Sequence, residues 1–166
     1  MRENPHVRIL ITAAAVGLAL AGVSTASASR PAAGGTPTAL VIKLKSHVRA
    51  SFNDDTPPKG DSKGDRYFVR DDLINVVTQF GKPAGAIIGH DSGIITLSGP
   101  RTASIVGVAV LPDGRISFRG ALSLSSTPGP PLTVTGGTGR YAQARGKVVI
   151  GSGDFPLNTY KITVPV

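Results

Sequence analysis

Three side chains are best suited to acid, base or electrostatic work: Asp72 in YFVRDDLIN, His90 in AIIGHDSG and Arg145 in YAQARGK. A carboxylate or imidazole beside a ligand can move a proton, and a guanidinium can orient a carboxylate or oxyanion through paired hydrogen bonds. Each has a plainer alternative. Asp71 and Asp72 are adjacent, so in a continuing strand they point to opposite faces and at most one enters an interior; a strand-ending turn leaves both in solvent. His90 shares parity with Ala84, Ala86 and Ile88, an apolar face on which a buried or rim histidine is the alternative to a general base. Arg145 shares parity with Lys147, the pattern of a solvated strand face.

Other constellations fall away on spacing. Asp54, Asp55 and Asp61 lie in a loop of Pro, Gly and Asp, but they do not follow the calcium-loop pattern and no Glu closes them. The glycines of VTGGTGRYAQARG match neither a dinucleotide fingerprint nor a phosphate-binding P-loop, and read as a tight turn feeding a strand. With no cysteine in 166 residues, thiol catalysis, disulfides and thiolate metal sites are excluded. No metal and no cofactor is expected.

The elements that position these residues are strands. The chain has 21 Gly and 13 Pro, and its apolar runs are built on Val, Ile and Thr, a balance that favours strands and turns over helices. Strand candidates cover residues 38–48, 65–71, 84–98, 103–111, 115–124, 131–135, 140–150 and 157–165, with the third bent at Asp91-Ser92-Gly93. The clearest hairpin is VGVAVLPDGRISFRGALSL, turning at Pro112-Asp113-Gly114. Its second arm places Ile116, Phe118, Leu122 and Leu124 on one face and Arg115, Ser117, Arg119 and Ser123 on the other. In ALVIKLKSHVR, Leu40, Ile42 and Leu44 share the apolar face that Ser46 continues, and Lys43, Lys45, His47 and Arg49 form a basic face expected to point outward. Ile42, Leu44, Ser46, Phe118 and Tyr141 are therefore the candidate ligand-lining residues, with Tyr160 as a further aromatic for the interior.

Two features bear on where the protein works and what it meets. Arg2 and Arg8, the apolar stretch Ile9 to Val23 and the small residues Ala26-Ser27-Ala28 make residues 1–28 a secretory signal peptide; 29–37 is a flexible lead-in and 38–166 a single domain. The mature, secreted chain would carry a net charge of +7, with no Glu. An exported basic domain without a basic helix, a zinc module or base-stacking aromatics is not expected to bind nucleic acid; an anionic cell-surface polymer is the partner this charge suggests.

The segment Gly136-Gly137-Thr138-Gly139-Arg140-Tyr141, followed by Ala144-Arg145-Gly146, resembles the signature of plant dirigent proteins, relatives of the allene oxide cyclases. The likeness runs in order through GDRYFVRDDLIN, KPAGAIIGHDSGIITL, DGRISFRGAL and the terminal YKITV, over residues 40–165. It implies an all-β, eight-stranded antiparallel barrel, often a homotrimer, whose interior holds an apolar small molecule. Dirigent proteins resembling this chain use one Asp on the first strand and another further along; here the first strand reads KLKSH, with Ser46 or His47 at the corresponding place. The expected function is a barrel that binds an apolar ligand and directs its cyclisation, isomerisation or coupling, chiefly by restricting its conformation. The alternative is a noncatalytic secreted barrel for a hydrophobic ligand or surface polymer.

Overall fold

The computed structural model describes residues 36–125, 129–151 and 156–165. The expected signal peptide and residues 29–35 of the lead-in lie outside them. Every regular element among the described residues is a strand: β1 (Thr38–Asp54), β2 (Arg66–Asn75), β3 (Ile87–Gly99), β4 (Thr102–Leu111), β5 (Gly114–Ser123), β6 (Leu132–Gly139), β7 (Arg145–Val149) and β8 (Leu157–Val164). Each pairs antiparallel with its neighbours in sequence, and β8 returns to β1, so the sheet closes as a barrel. Closure leaves no unpaired sheet edge and divides the residues of every strand between a lumen and an outer wall.

The alternation expected for β1 and β5 sets that division. Ile42, Leu44 and Ser46 are buried inside, while Lys43, Lys45, His47 and Arg49 stand outside; Ile116 and Phe118 are buried opposite exposed Arg115 and Arg119. Phe118 lies over β4 at Gly107, where an added Cβ would come within 2.6 Å of the ring. It also meets Tyr160 edge-on, with ring centroids 6.4 Å apart. The glycine signature has an equally concrete basis: a Cβ at Gly137 would sit 2.1 Å from the Arg115 carbonyl and 2.9 Å from the Tyr141 Cβ. Only glycine lets β6 pass this close to β5 while Tyr141 folds under it into the core.

Four expectations about the strands are corrected. β1 continues to Asp54 past a register shift between Val48 and Ala50, so Ser51 to Asp54 belong to the strand and not to the loop. β2 continues through Asp71 and Asp72 to Asn75, because both aspartates pair with β1 and β3. β3 runs unbroken through Asp91-Ser92-Gly93; its irregularity lies instead near Ile88, where Leu73 pairs with Gly89 but Ile74 with Ile87. Residues 140–144 form the turn into β7, which begins at Arg145.

The outer wall is uneven. Across β1 to β4 the register aligns Phe52, Phe68, Ile94 and Val106 in one row. Phe52 stacks on Phe68 at 5.0 Å and Arg66 covers the Phe68 ring, yet Phe52 and Val106 remain 46% and 61% exposed.

Candidate functional site

The β2 to β3 register brings together two luminal carboxylates. Asp71 pairs directly with Asp91, and residues opposite one another on antiparallel strands share a face with Cβ atoms roughly 5 Å apart. The face is the lumen, since Asp91 is buried on the parity of Ile95 and Leu97, and Asp71 on that of Tyr67 and Leu73. Burial, reinforced by the charge of Asp71, pushes the Asp91 carboxyl up to about 8. Asp91 is thus a neutral acid at pH 7, able to donate a hydrogen bond. Burial also raises Asp71; nearby His47 pulls it back down, and Asp72 adds a smaller upward push. Two carboxyl groups so close cannot both ionise cheaply, so the pair holds one proton, centred on the more buried Asp91.

Tyr160 reaches the same region from β8. It is fully buried, and its phenol is raised well above its ordinary range by burial and then by the charges of Asp91 and Asp71. Neither the Tyr160 hydroxyl nor Asp71 Oδ1 makes a hydrogen bond within the protein. Buried polar groups are nearly always satisfied, so these two atoms stand out in the barrel interior. On the β1 wall Asn158 Nδ2 donates to Ser46 Oγ, leaving Asn158 Oδ1 as a further acceptor without a partner. Ser51 adds another unpartnered hydroxyl and Asn75 a buried amide; Ile42, Leu44, Ile95, Ala109, Ile116 and Phe118 supply apolar lining. One protonated acid, one carboxylate and one phenol in such a lining can grip the polar end of a largely hydrophobic molecule.

The residues singled out from sequence are dispersed. Ser46, Ile42, Leu44 and Phe118 face the lumen as expected. Asp72 does not: it faces outward, 3.3 Å from Arg49. His90 pairs with Asp72 and shares its outward face, because the irregularity near Ile88 breaks the alternation that linked His90 to Ala84 and Ala86. Arg145 is exposed on the outer wall, where its Nη1 donates to the carbonyls of Ala144 and Gln143. Tyr141 is buried beside the Asp113 turn, its phenol pushed up to about 12 by burial and then by Asp113. Asp71 and Asp91 are brought opposite one another by the register, and the Tyr160 phenol feels the charge of both. Among the described residues no cluster of three or more His, Asp or Glu could hold a metal ion.

No protein-family model matches the chain, and no curated protein does. Solved structures do, and they define the fold as a dirigent-like barrel. A pyocyanin demethylase superposes with a TM-score of 0.61 at 21% identity, over 74% of this chain and 99% of that one. A pterocarpan synthase dirigent protein gives 0.60 at 18% identity, over 88% and 98%. The Diels-Alderase AbmU from Streptomyces koyangensis gives 0.59 at 18% identity, over 81% and 72%.

Proposed function

We propose that the protein is a secreted barrel that takes an apolar small molecule into its lumen and directs its cyclisation or isomerisation, with Asp91 as the acid and Asp71 as its charged counterpart. The observation that carries this reading is the Asp71 and Asp91 pair: two carboxyl groups opposite one another on the inward face, with the Tyr160 hydroxyl buried and without a partner. Environments that push two titratable groups apart assign them acid and base roles. In an intramolecular cyclisation Asp91 lends its proton or a hydrogen bond to a carbonyl oxygen as the ring closes on the activated carbon. Asp71 accepts the proton that the attacking group gives up. Atoms and electrons balance within one substrate and no redox partner is needed. The packed walls around Phe118 and Tyr160 supply the conformational restriction that favours one folded form of the ligand. Fold neighbours described as a pterocarpan synthase dirigent protein and as Diels-Alderases support the reading, since each name denotes ring-forming or coupling chemistry on a barrel of this architecture.

The test is untargeted mass spectrometry of small molecules copurifying with the mature protein, followed by assay of any ligand found. Turnover by the wild-type protein, lost in Asp91→Asn while capture of the ligand persists, supports the acid role. Capture without turnover, unaffected by Asp91→Asn, decides for the noncatalytic alternative. Secretion is tested by intact mass of protein from the medium, with a start near Ser29 expected. For a homotrimer we propose the Phe52, Phe68, Ile94 and Val106 row as the buried face, and sedimentation of the Val106→Lys variant against wild type tests it.

A further inference from the structure

Among the described outward residues, the wall from β5 through β8 and along β1 as far as Lys45 carries cations and no carboxylate; Asp54 lies at the far end of β1. In register order it presents Arg115 and Arg119 on β5, Arg145 and Lys147 on β7, Lys161 on β8, and Lys43 and Lys45 on β1. The two ion pairs found among the described residues lie elsewhere: Arg49 with Asp72 at the β1 to β2 seam, and Arg140 with Asp113 at the β4 to β5 turn. Lys147 and Lys161 stand directly opposite one another. Like charges in that position repel across the strands, and nothing on the wall neutralises them; Lys147 Nζ donates only to the neutral Thr133 Oγ1 at 3.0 Å.

The wall also holds a groove of about 480 Å³, bounded by Arg115, Ser117, Thr135, Thr138, Gln143 and Arg145. Two Arg side chains and three hydroxyl side chains line it; Thr135 Oγ1 donates to the Ser117 carbonyl at 3.3 Å and Thr138 Oγ1 accepts from the Arg115 amide at 3.2 Å. Gln143 is held at φ 63°, a left-handed backbone that a side-chain-bearing residue adopts at a cost, and its carbonyl accepts from Arg145. Donors so arranged match an oxyanion with several acceptor positions. From the groove, Lys147 on β7 and Lys161 on β8 stand one strand spacing of about 5 Å apart, and Lys43 on β1 lies one diagonal step further, since Lys161 itself pairs with Val41. From β5 to β8, and along β1 as far as Arg49, the described outward residues include no Phe, Tyr or Trp, so this part of the wall offers nothing for a nucleic-acid base to stack on; Phe52 lies further along β1, stacked on Phe68.

We infer that this wall docks a linear polymer bearing a phosphodiester at each repeat, of the polyol-phosphate kind found outside cells. One phosphate sits between Arg115 and Arg145, and the next relieve the repulsion between Lys147 and Lys161. The inference shares only the expectation of export with the luminal reading, and the two sites face opposite sides of the sheet. The experiment is calorimetric titration of the mature protein with poly(glycerol phosphate) across a salt series. The logarithm of the binding constant should fall linearly with the logarithm of salt concentration, as counterions are released from the polymer. The double variants Arg115→Gln with Arg145→Gln, and Lys147→Gln with Lys161→Gln, should each lower the salt slope by about 2. Arg66→Gln with Arg70→Gln removes the same charge from the outer face of β2 and should leave the slope unchanged; Asp91→Asn should leave binding intact. An equal loss in the β2 variant would reduce the effect to net charge and overturn the inference. Tighter binding to single-stranded DNA or to anionic lipid vesicles than to the polymer would overturn it as well.

Discussion

The two sides of this sheet hold opposite charge under opposite rules. In the lumen, Asp71 and Asp91 face each other without a luminal cation, in surroundings that keep Asp91 protonated to about 8. On the outer wall, Lys147 and Lys161 face each other with no carboxylate between them, yet water screens the pair. The same local motif, two like charges opposite on antiparallel strands, becomes a proton-holding site inside and a surface for counterions outside. Burial, more than residue type, decides which.

The largest expected effect lies in the packing that makes the lumen dry. Phe118→Ala removes a buried ring wedged between Gly107 and Tyr160 and should cost about 3 to 5 kcal/mol in chemical denaturation. A loss below about 1 kcal/mol would mean that the lumen is open enough to collapse around the change.

Next comes pH. Folded Asp91 keeps a proton that the unfolded chain releases near 3.8, so folding is most favoured below that value. Stability should fall as pH rises from about 4 to about 8 and level off above, with Asp71 adding in the same direction. Asp91→Asn should flatten this slope and be the more stable protein at pH 9. A wild-type curve that rises over that interval would break the contrast between lumen and wall.

Smaller effects belong to the exterior. Lys161→Glu turns the Lys147 repulsion into a cross-strand attraction and should stabilise by about 0.2 to 1 kcal/mol, less in high salt. Asp72→Asn breaks a pair whose Arg49 side chain is 62% exposed, and should cost under about 1 kcal/mol in thermal unfolding. A larger cost would give Asp72 a role that its outward position does not explain.

How far the sequence could be read follows from where alternation holds. Along β1, from Leu40 to Ser46, and along β5, period-two patterning runs without interruption, and both the barrel class and the inward faces were legible. The glycine signature was legible too, because close backbone approach at Gly137 leaves no room for a side chain. The carboxylate pair was hidden by two local rules that tertiary pairing overrides. Asp-Ser-Gly reads as a turn, yet β3 carries it as an ordinary strand segment because β2 and β4 pair with it on both sides. His90 inherits a false apolar parity from Ala84 and Ala86, which precede the irregularity near Ile88. Counting backward from Ile95 and Leu97 would have placed Asp91 inside. Asp72 was the expected inward carboxylate, but β2 continues to Leu73 and Asn75, and their parity puts Asp71 inside instead.

The central claim, a neutral acid held by its carboxylate partner inside the barrel, is tested most directly by carbon-detected NMR titration of the Asp91 side-chain carboxyl. The wild-type midpoint should lie at about 8. In Asp71→Asn it should move down, because the neighbouring charge is lost, while staying above the ordinary carboxylate range, because burial is the larger cause. A wild-type midpoint near 3.8 would show that Asp91 is ionised and solvated, and would contradict the account.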